Sequence, residues 1–348
     1  MTRPLHDSSD LVVVRHSPLN AESPPAALER DVTPAAHVYV RSNFAVPALP
    51  GDDHRVTIGG AVREPFSIAV AELRAMRRST ATVTMECAGN DRVSMRPLPP
   101  GELWRSGAVS TARWSGVPLR ELLRRAGVAP DAVEILVEGA DRGLVDDEPG
   151  AIPFARSLPV AEAMDPRVLL ALEMNDAPLA LAHGAPVRLV VPGWYGMASV
   201  KWVARIEAIT TPFAGRFQSR RYVYDDDAGG VRPVTRMRVK SAIVAPADGA
   251  VVPAGPVVVR GWAWSGEGAI TRVEVDAGAG WHDARLGAPP SQDSWTPWEA
   301  DVELAARGRY ALLSRAHDAA GNVQPDVPPW NRLGYGNNAV RPVVVEVV

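Results

Sequence analysis

The chain has 348 residues, of which 46% are hydrophobic and 22% charged, and its formal net charge is -3 at pH 7. This length accommodates two packed domains, and the near-neutral charge gives no reason to expect nucleic acid as a partner. No stretch approaches the roughly 20 consecutive apolar residues of a membrane-spanning helix. The sequence starts without a recognisable export signal, so we expect a cytoplasmic protein, or a periplasmic one if a signal has been removed.

The first 34 residues are rich in Pro, Ala and Ser with little periodicity, which predicts an arm that wraps the surface or is partly disordered. Residues 35–236 alternate strand-like and helix-like patterns irregularly, as expected for a mixed α+β domain. Alternating apolar residues predict strands at 54–62, 80–86, 133–140 and 186–193. Helical spacing of apolar residues predicts helices at 69–76, 117–127 and 160–165.

From residue 237 the pattern changes to short β-rich segments separated by Gly, Pro and Asp. Several short strands at even spacing predict an all-β sandwich of immunoglobulin-like character over 237–348. Such a domain often serves association, so its presence favours a homodimer. The predicted fold class is therefore a mixed α+β domain followed by an all-β domain.

Cys87 is the single cysteine of the chain and directly follows the predicted strand at 80–86. A lone cysteine is most often a small buried apolar residue. Here Gly89 and Asn90 allow a tight turn that could present the sulfur at a cavity, and nearby Arg92 would favour the thiolate. Such a thiolate could bind a soft metal, or it could act as a nucleophile with a histidine such as His183 as its base.

The segment CAGNDR at 87–92 resembles the cysteine motif of the molybdenum-dependent sulfite oxidase family. The resemblance continues through YVRSN at 39–43, GELWRSGAVSTARWSG at 101–116, HGAPVRLVVPG at 183–193 and VKW at 200–202. In the last domain GWAWSGEGAITRVEV, NVQPD and PWN resemble the dimerisation domain of that family. Several ordered matches along most of the chain are more specific than any one short motif.

The resemblance implies one molybdenum–molybdopterin cofactor per chain, with Cys87 as the protein's ligand to the metal. Basic side chains would bind the cofactor phosphate. The implied cofactor-binding residues are Arg41, Asn43, Cys87, His183, Arg188 and Lys201. The implied catalytic residues are Cys87, Arg92, Tyr222, Arg41, Trp104 and Arg332. Core packing remains the competing interpretation for Trp104, and an amphipathic surface position remains so for Tyr222.

The resemblance also implies oxidation of sulfite to sulfate by oxygen-atom transfer, with electrons passed to an external acceptor such as cytochrome c or oxygen. Arginines would supply the positive charge that a dianion needs. Asp91 stands where many relatives carry Arg, and Asn43 stands where animal enzymes carry His, so a weaker positive field is expected. Reduction of nitrate or another small oxo-substrate, a non-catalytic β-sandwich binding protein and a cysteine hydrolase are the competing functions.

Overall fold

The computed structural model describes residues 10–225 and 229–348. The helices of the mixed domain are short, and α1 to α4 lie at Val70–Ala75, Leu119–Ala126, Val160–Ala163 and Arg216–Ser219. The strands of the arm and of this domain, β1 to β14, lie at Val12–Arg15, Asn20–Glu22, Arg55–Gly60, Phe66–Ala69, Ser79–Glu86, Val109–Pro118, Glu134–Gly143, Ile152–Pro159, Leu169–Met174, Ala177–Pro178, Arg188–Val190, Val203–Ile209, Val223–Asp225 and Val231–Pro233.

Apolar periodicity places these elements where the sequence predicts them. In β3 the buried side chains of Val56 and Ile58 alternate with exposed neighbours, as in a strand that covers a core with one face. In α2 the buried residues Leu119, Leu122, Leu123 and Ala126 form one stripe. The helix ends at Gly127, whose left-handed φ of 68° suits a residue without a side chain. The predicted strands and helices of the mixed domain are confirmed.

Among the described residues, two five-stranded sheets form most of this domain, and β13 pairs with β14 in a small third sheet. The first has the order β10-β9-β6-β5 with β11 also pairing with β9, and the second has the order β4-β3-β12-β7-β8. Both contribute to one hydrophobic core, which includes Val117 and Leu170 from the first sheet and Ile58, Val137 and Ile206 from the second. The predicted α+β class follows from this arrangement.

The last part of the chain is all-β, as predicted. Its strands β15 to β23 lie at Lys240–Ala245, Val251–Val252, Gly255–Trp264, Ile270–Asp276, His282–Asp283, Arg285–Leu286, Thr296–Leu304, Gly308–Asp318 and Val343–Val347. They form the sheets β15-β17-β21-β20 and β16-β23-β22-β18-β19. Residues of both sheets, among them Val259, Val273, Val302 and Leu312, share a second core. The order and packing are those of a sandwich.

The arm is more ordered than its composition predicts. Residues 10–34 include the hairpin β1-β2, and Ala21 exchanges two backbone hydrogen bonds of 2.9 Å with Val40. The side chain of Asn20 is buried and accepts a 2.9 Å hydrogen bond from the backbone N–H of Ser42. Long-range contacts therefore replace the missing periodicity; residues 1–9 lie outside the described part of the chain. None of the described helices is long and apolar enough to cross a bilayer.

Candidate active site

A cavity lies where β5, β6 and β7 meet three segments at 38–43, 182–188 and 196–202. Most of the predicted site residues line it, although they come from distant parts of the sequence. They are Arg41, Asn43, Cys87, His183, Arg188, Lys201 and Tyr222. The fold therefore gathers the predicted cofactor-binding set around the thiol.

Cys87 stands immediately after the last residue of β5, where pairing with β6 stops at Glu86 and Val109. Its N–H donates to the carbonyl of Ala108 at 2.8 Å, and its own carbonyl accepts the N–H of Asn90 at 2.9 Å. The strand end and the turn thus hold the sulfur at the cavity wall. Burial raises the pKa of the Cys87 thiol, while the charges of Arg41 and Arg92 and the N–H of Gly89 oppose this by favouring the thiolate.

Arg188 is a buried cation whose hydrogen-bond partners are neutral. Its guanidinium donates to the carbonyl oxygens of His183 and Ser199, both at 3.0 Å, and lies 4.8 Å from the ring centroid of Trp114. Burial lowers its pKa to about 10, which still leaves it charged at neutral pH. A cation held in this way is oriented by the protein, and its charge remains available to an anionic ligand.

Lys201 and Asp141 form the second charged feature of the wall. Lys201 donates to Ser42 Oγ at 2.7 Å and to the carbonyl of Ala182 at 2.9 Å. Burial lowers the pKa of Lys201 well below its usual value, and the charge of Arg188 lowers it further, whereas Asp141 opposes both. Burial also raises the pKa of Asp141 to about 6. An anion bound beside Lys201 would therefore favour its protonated form.

A chain of polar side chains links Arg41 to Tyr222 through Asn43. Arg41 Nη2 donates to Asn43 Oδ1 at 2.7 Å, and Asn43 Nδ2 lies 3.3 Å from the Tyr222 hydroxyl. The backbone of Tyr222 is left-handed, with φ of 53°, which is strained for a bulky aromatic residue. Strain of this kind is concentrated at functional sites, where the surrounding fold holds one side-chain direction. This geometry favours the site interpretation of Tyr222 over the surface one.

Arg92 lies behind the wall rather than among its lining residues. Its buried guanidinium donates to the carbonyls of Glu102 at 2.7 Å and Leu333 at 3.1 Å, and it lies 5.1 Å from the ring centroid of Tyr335. Three glycines make room for it, because a Cβ atom at Gly89, Gly101 or Gly334 would come within 2.8 to 3.0 Å of the guanidinium. Arg92 is thus a buried cation close to the thiol, enclosed by a pocket that only glycines permit.

Trp104 and Arg332 also lie outside the cavity wall. Trp104 is fully buried in an apolar cluster that contains Tyr39, Cys87 and Trp114, so its packing interpretation describes its observed contacts. Arg332 is half exposed, and its Nε donates to Asp225 at 2.7 Å. Its charge is therefore already paired at the surface.

Two lining residues were missed by the sequence analysis. Asp141 Oδ1 and Trp114 Nε1 are both buried without a hydrogen-bond partner among the described residues. Asp141 Oδ1 is a hydrogen-bond acceptor, and Trp114 Nε1 is a donor. Asp141 is a single acid in a strand, and its neighbour Lys201 is distant in the sequence, so the sequence carried no local signal. Trp114 lies inside the motif at 101–116, but nothing distinguished it from a core aromatic residue.

Asp91 has a different role from the one expected. Its carboxylate is buried, it is not among the lining residues, and it lies 2.7 Å from Lys240 Nζ. Arg341 contacts its other oxygen. The negative charge expected to weaken the positive field is therefore matched by two cations. Asn43, the second departure from the family pattern, remains in the wall as an uncharged residue.

Comparisons with known proteins agree with this geometry. Residues 43–217 match the protein family described as oxidoreductase molybdopterin binding domain, and residues 231–348 match the Mo-co oxidoreductase dimerisation domain. The mitochondrial sulfite oxidase of Rattus norvegicus is 36% identical over 95% of this chain, which spans only 64% of that protein's length. The sulfite oxidase of Gallus gallus is 38% identical over 94% of this chain and 76% of its own length. The crystal structure of the sulfane dehydrogenase SoxCD from Paracoccus pantotrophus is 32% identical, with a TM-score of 0.81 over 93% of this chain and 83% of that chain.

Asp141→Asn is expected to remove a pH-dependent loss of stability from the cofactor-free protein. Because burial raises the pKa of Asp141 from 3.8 to about 6, the folded chain keeps a proton that the unfolded chain has already released. The free energy of unfolding of the wild type therefore falls as the pH rises from about 4 to about 6, by up to about 3 kcal/mol. The Asp141→Asn variant should not show this decrease in the free energy of unfolding.

Urea unfolding of both proteins between pH 4 and pH 8 measures the effect. The stability difference should grow as the pH rises through this window and level off above it. Asp53→Asn, at an exposed aspartate, is the control and should give no such trend. A difference that does not depend on pH would contradict the assignment to Asp141.

Proposed function

Because the chain belongs to the sulfite oxidase family of molybdopterin oxidoreductases, we propose that it oxidises sulfite to sulfate with a molybdenum–molybdopterin cofactor bound in the cavity around Cys87. The observation that carries the proposal is the charge of the cavity wall. Among the residues that the structure describes, Arg41, Arg188 and Lys201 line it together with a single carboxylate, that of Asp141. Such a wall suits an anionic cofactor and an anionic substrate.

The residues present fit the proposed cofactor. The Cys87 thiol is a soft donor of the kind that molybdenum accepts from proteins. Arg188 and Lys201 offer oriented donors for a phosphate, and His183 lies in the same wall. The unpartnered acceptor of Asp141 and donor of Trp114 match the N–H groups and ring acceptors of a pterin. When bound, this group would supply the transferred oxygen atom and accept two electrons.

We assign the substrate side of the cavity to Arg41, Asn43 and Tyr222. Arg41 would attract the dianion, and the Asn43–Tyr222 contact would orient a hydroxyl donor toward it. Arg92 would add its charge from behind the wall, since a buried cation acts over several ångströms when the surroundings are poorly polarisable. Overall, sulfite and water give sulfate, two protons and two electrons, and the electrons pass to an external acceptor such as cytochrome c or oxygen.

We further propose a division of labour along the chain. Residues 35–236 would form the cofactor-binding domain, residues 237–348 would form the dimerisation domain of a homodimer, and residues 1–34 would form the arm. The match of residues 231–348 to a dimerisation domain supports the second assignment. The hydrogen bonds of Asn20 to Arg41 and Ser42 support an arm that steadies the substrate side of the site.

Cofactor-loaded protein is expected to oxidise sulfite with ferricyanide as acceptor and to fail to reduce nitrate with a reduced viologen. Elemental analysis should find stoichiometric molybdenum in the wild type. In Cys87→Ser most of it should be lost, because a hydroxyl is a harder and weaker ligand than a thiolate. Circular dichroism shows whether the variant is folded. Metal-free wild-type protein would overturn the cofactor assignment, and nitrate turnover without sulfite turnover would overturn the substrate.

Arg92→Met is expected to raise the KM for sulfite about tenfold or more, while molybdenum content stays at the wild-type level. The reason is that the variant removes a buried positive charge near a dianion but leaves the cofactor contacts in place. Steady-state kinetics and metal analysis measure both quantities. Arg77→Met, at an exposed arginine, is the matched control and should behave as the wild type. Unchanged sulfite kinetics in Arg92→Met would remove this residue from the substrate site.

A further inference from the structure

The turn that carries Cys87 is flanked by two buried carboxylates. Glu86 precedes the cysteine directly, and Asp91 follows it four residues later. Lys240, at the first position of β15 in the C-terminal sandwich, reaches both: its Nζ lies 3.0 Å from Glu86 Oε1 and 2.7 Å from Asp91 Oδ2. It also donates to the carbonyl of Asn337 at 3.1 Å. One ammonium group therefore joins the two ends of the turn.

Other contacts from the sandwich reach the same turn. Trp264, which pairs with Lys240 across β15 and β17, donates its indole N–H to Glu86 Oε2 at 3.0 Å. The N–H of Gly336 donates to the carbonyl of Ala88 at 2.7 Å. Within the turn, Asn90 donates to Glu86 Oε1 at 2.9 Å. Groups outside the domain that forms the cavity thus contact the turn on both sides of Cys87.

Electrostatics makes Lys240 the central member of this set. Its side chain is only 4% exposed, and burial lowers its pKa, but the charges of Asp91 and Glu86 outweigh burial and leave the pKa raised. Arg341 also contacts Asp91, but its side chain is 45% exposed, so solvent screens that interaction. Without Lys240, two buried carboxylates on either side of the cysteine would lose their shared counter-ion and repel each other.

We propose that Lys240 is a positioning residue that holds the Cys87 turn in its ligand-presenting geometry from the C-terminal domain. The proposal rests on the proposed function in taking Cys87 as the metal ligand. A residue that only joined the two domains would stabilise the whole chain. Lys240 is expected instead to control the turn at 86–92 in particular, because its charged partners lie there.

Amide hydrogen exchange of the cofactor-free protein, followed by mass spectrometry, tests this without metal or sulfite. Lys240→Met should speed exchange in the peptide that contains residues 86–92 by about tenfold or more, while strands β17 and β21 stay within about twofold of the wild type. Wild-type rates in that peptide, or equal acceleration in β17 and β21, would overturn the proposal. A failure of sulfite turnover would leave this readout intact, so the two proposals can fail separately.

A rescue variant separates charge from packing. Lys240→Met combined with Glu86→Gln and Asp91→Asn removes the like charges with little change in shape, so the turn should return toward wild-type exchange. No rescue would overturn the electrostatic account. If Lys240→Met does not fold, Asp91→Asn alone should still loosen the turn selectively, and an unchanged turn would count against the proposal. In loaded protein, Lys240→Met should also shift the thiolate-to-metal absorption band, and an unshifted band would contradict positioning.

Discussion

Positive charge buried against neutral partners is the constraint on which the rest of this structure depends. Taking a guanidinium or ammonium group out of water costs several kcal/mol unless hydrogen bonds and opposite charge compensate it. Around the cavity, carbonyl and hydroxyl oxygens accept hydrogen bonds from Arg188 and Lys201, and the rings of Trp114 and Trp202 lie against these two cations. The opposite charge is largely left to a ligand. Folding and anion binding are therefore linked, because an anion that binds only the folded chain stabilises it.

The register of β5 and β6 sets the position of Cys87 at the wall of this positively charged cavity. The paired residues of β5 and β6 end at Glu86 and Val109, and Cys87 keeps one further hydrogen bond, from its N–H to the carbonyl of Ala108, before the chain turns away. Asn90 closes the turn on both sides: its Oδ1 accepts the N–H of Ala108 at 3.1 Å, and its Nδ2 donates to Glu86. The sulfur is held by backbone geometry rather than by a flexible loop. This is the arrangement that a metal ligand requires, since displacement of a fraction of an ångström changes the coordination distance.

Much of the fold and part of the site could be predicted from the sequence. Alternation and helical spacing are local properties, so β3, β5 and α2 were found where apolar residues predicted them. Seven residues implied by the family resemblance line one cavity, although the sequence alone gives no distance between them. Side-chain direction could not be predicted. The side chain of Arg92 enters a space left by Gly89, Gly101 and Gly334, and only Gly89 belongs to the same turn as Arg92. The side chain of Trp104 packs in an apolar cluster. The hairpin of the arm is joined to the domain by the pairing of Ala21 with Val40, and Val40 lies outside the arm. The sequence of the arm alone therefore could not predict this pairing.

The two sides of the Cys87 turn differ in how their charges are balanced by opposite charges. On the cavity side, the described lining residues include several cations and one carboxylate, so positive charge is in excess there. On the opposite side, Glu86 and Asp91 lie against Lys240, and Asp91 also contacts Arg341. Glu86 raises the pKa of the neighbouring thiol and opposes the thiolate, and Lys240 places a positive charge beside that carboxylate. The proposed role of Lys240 would therefore give the C-terminal sandwich a part in the chemistry of the site in addition to any role in association.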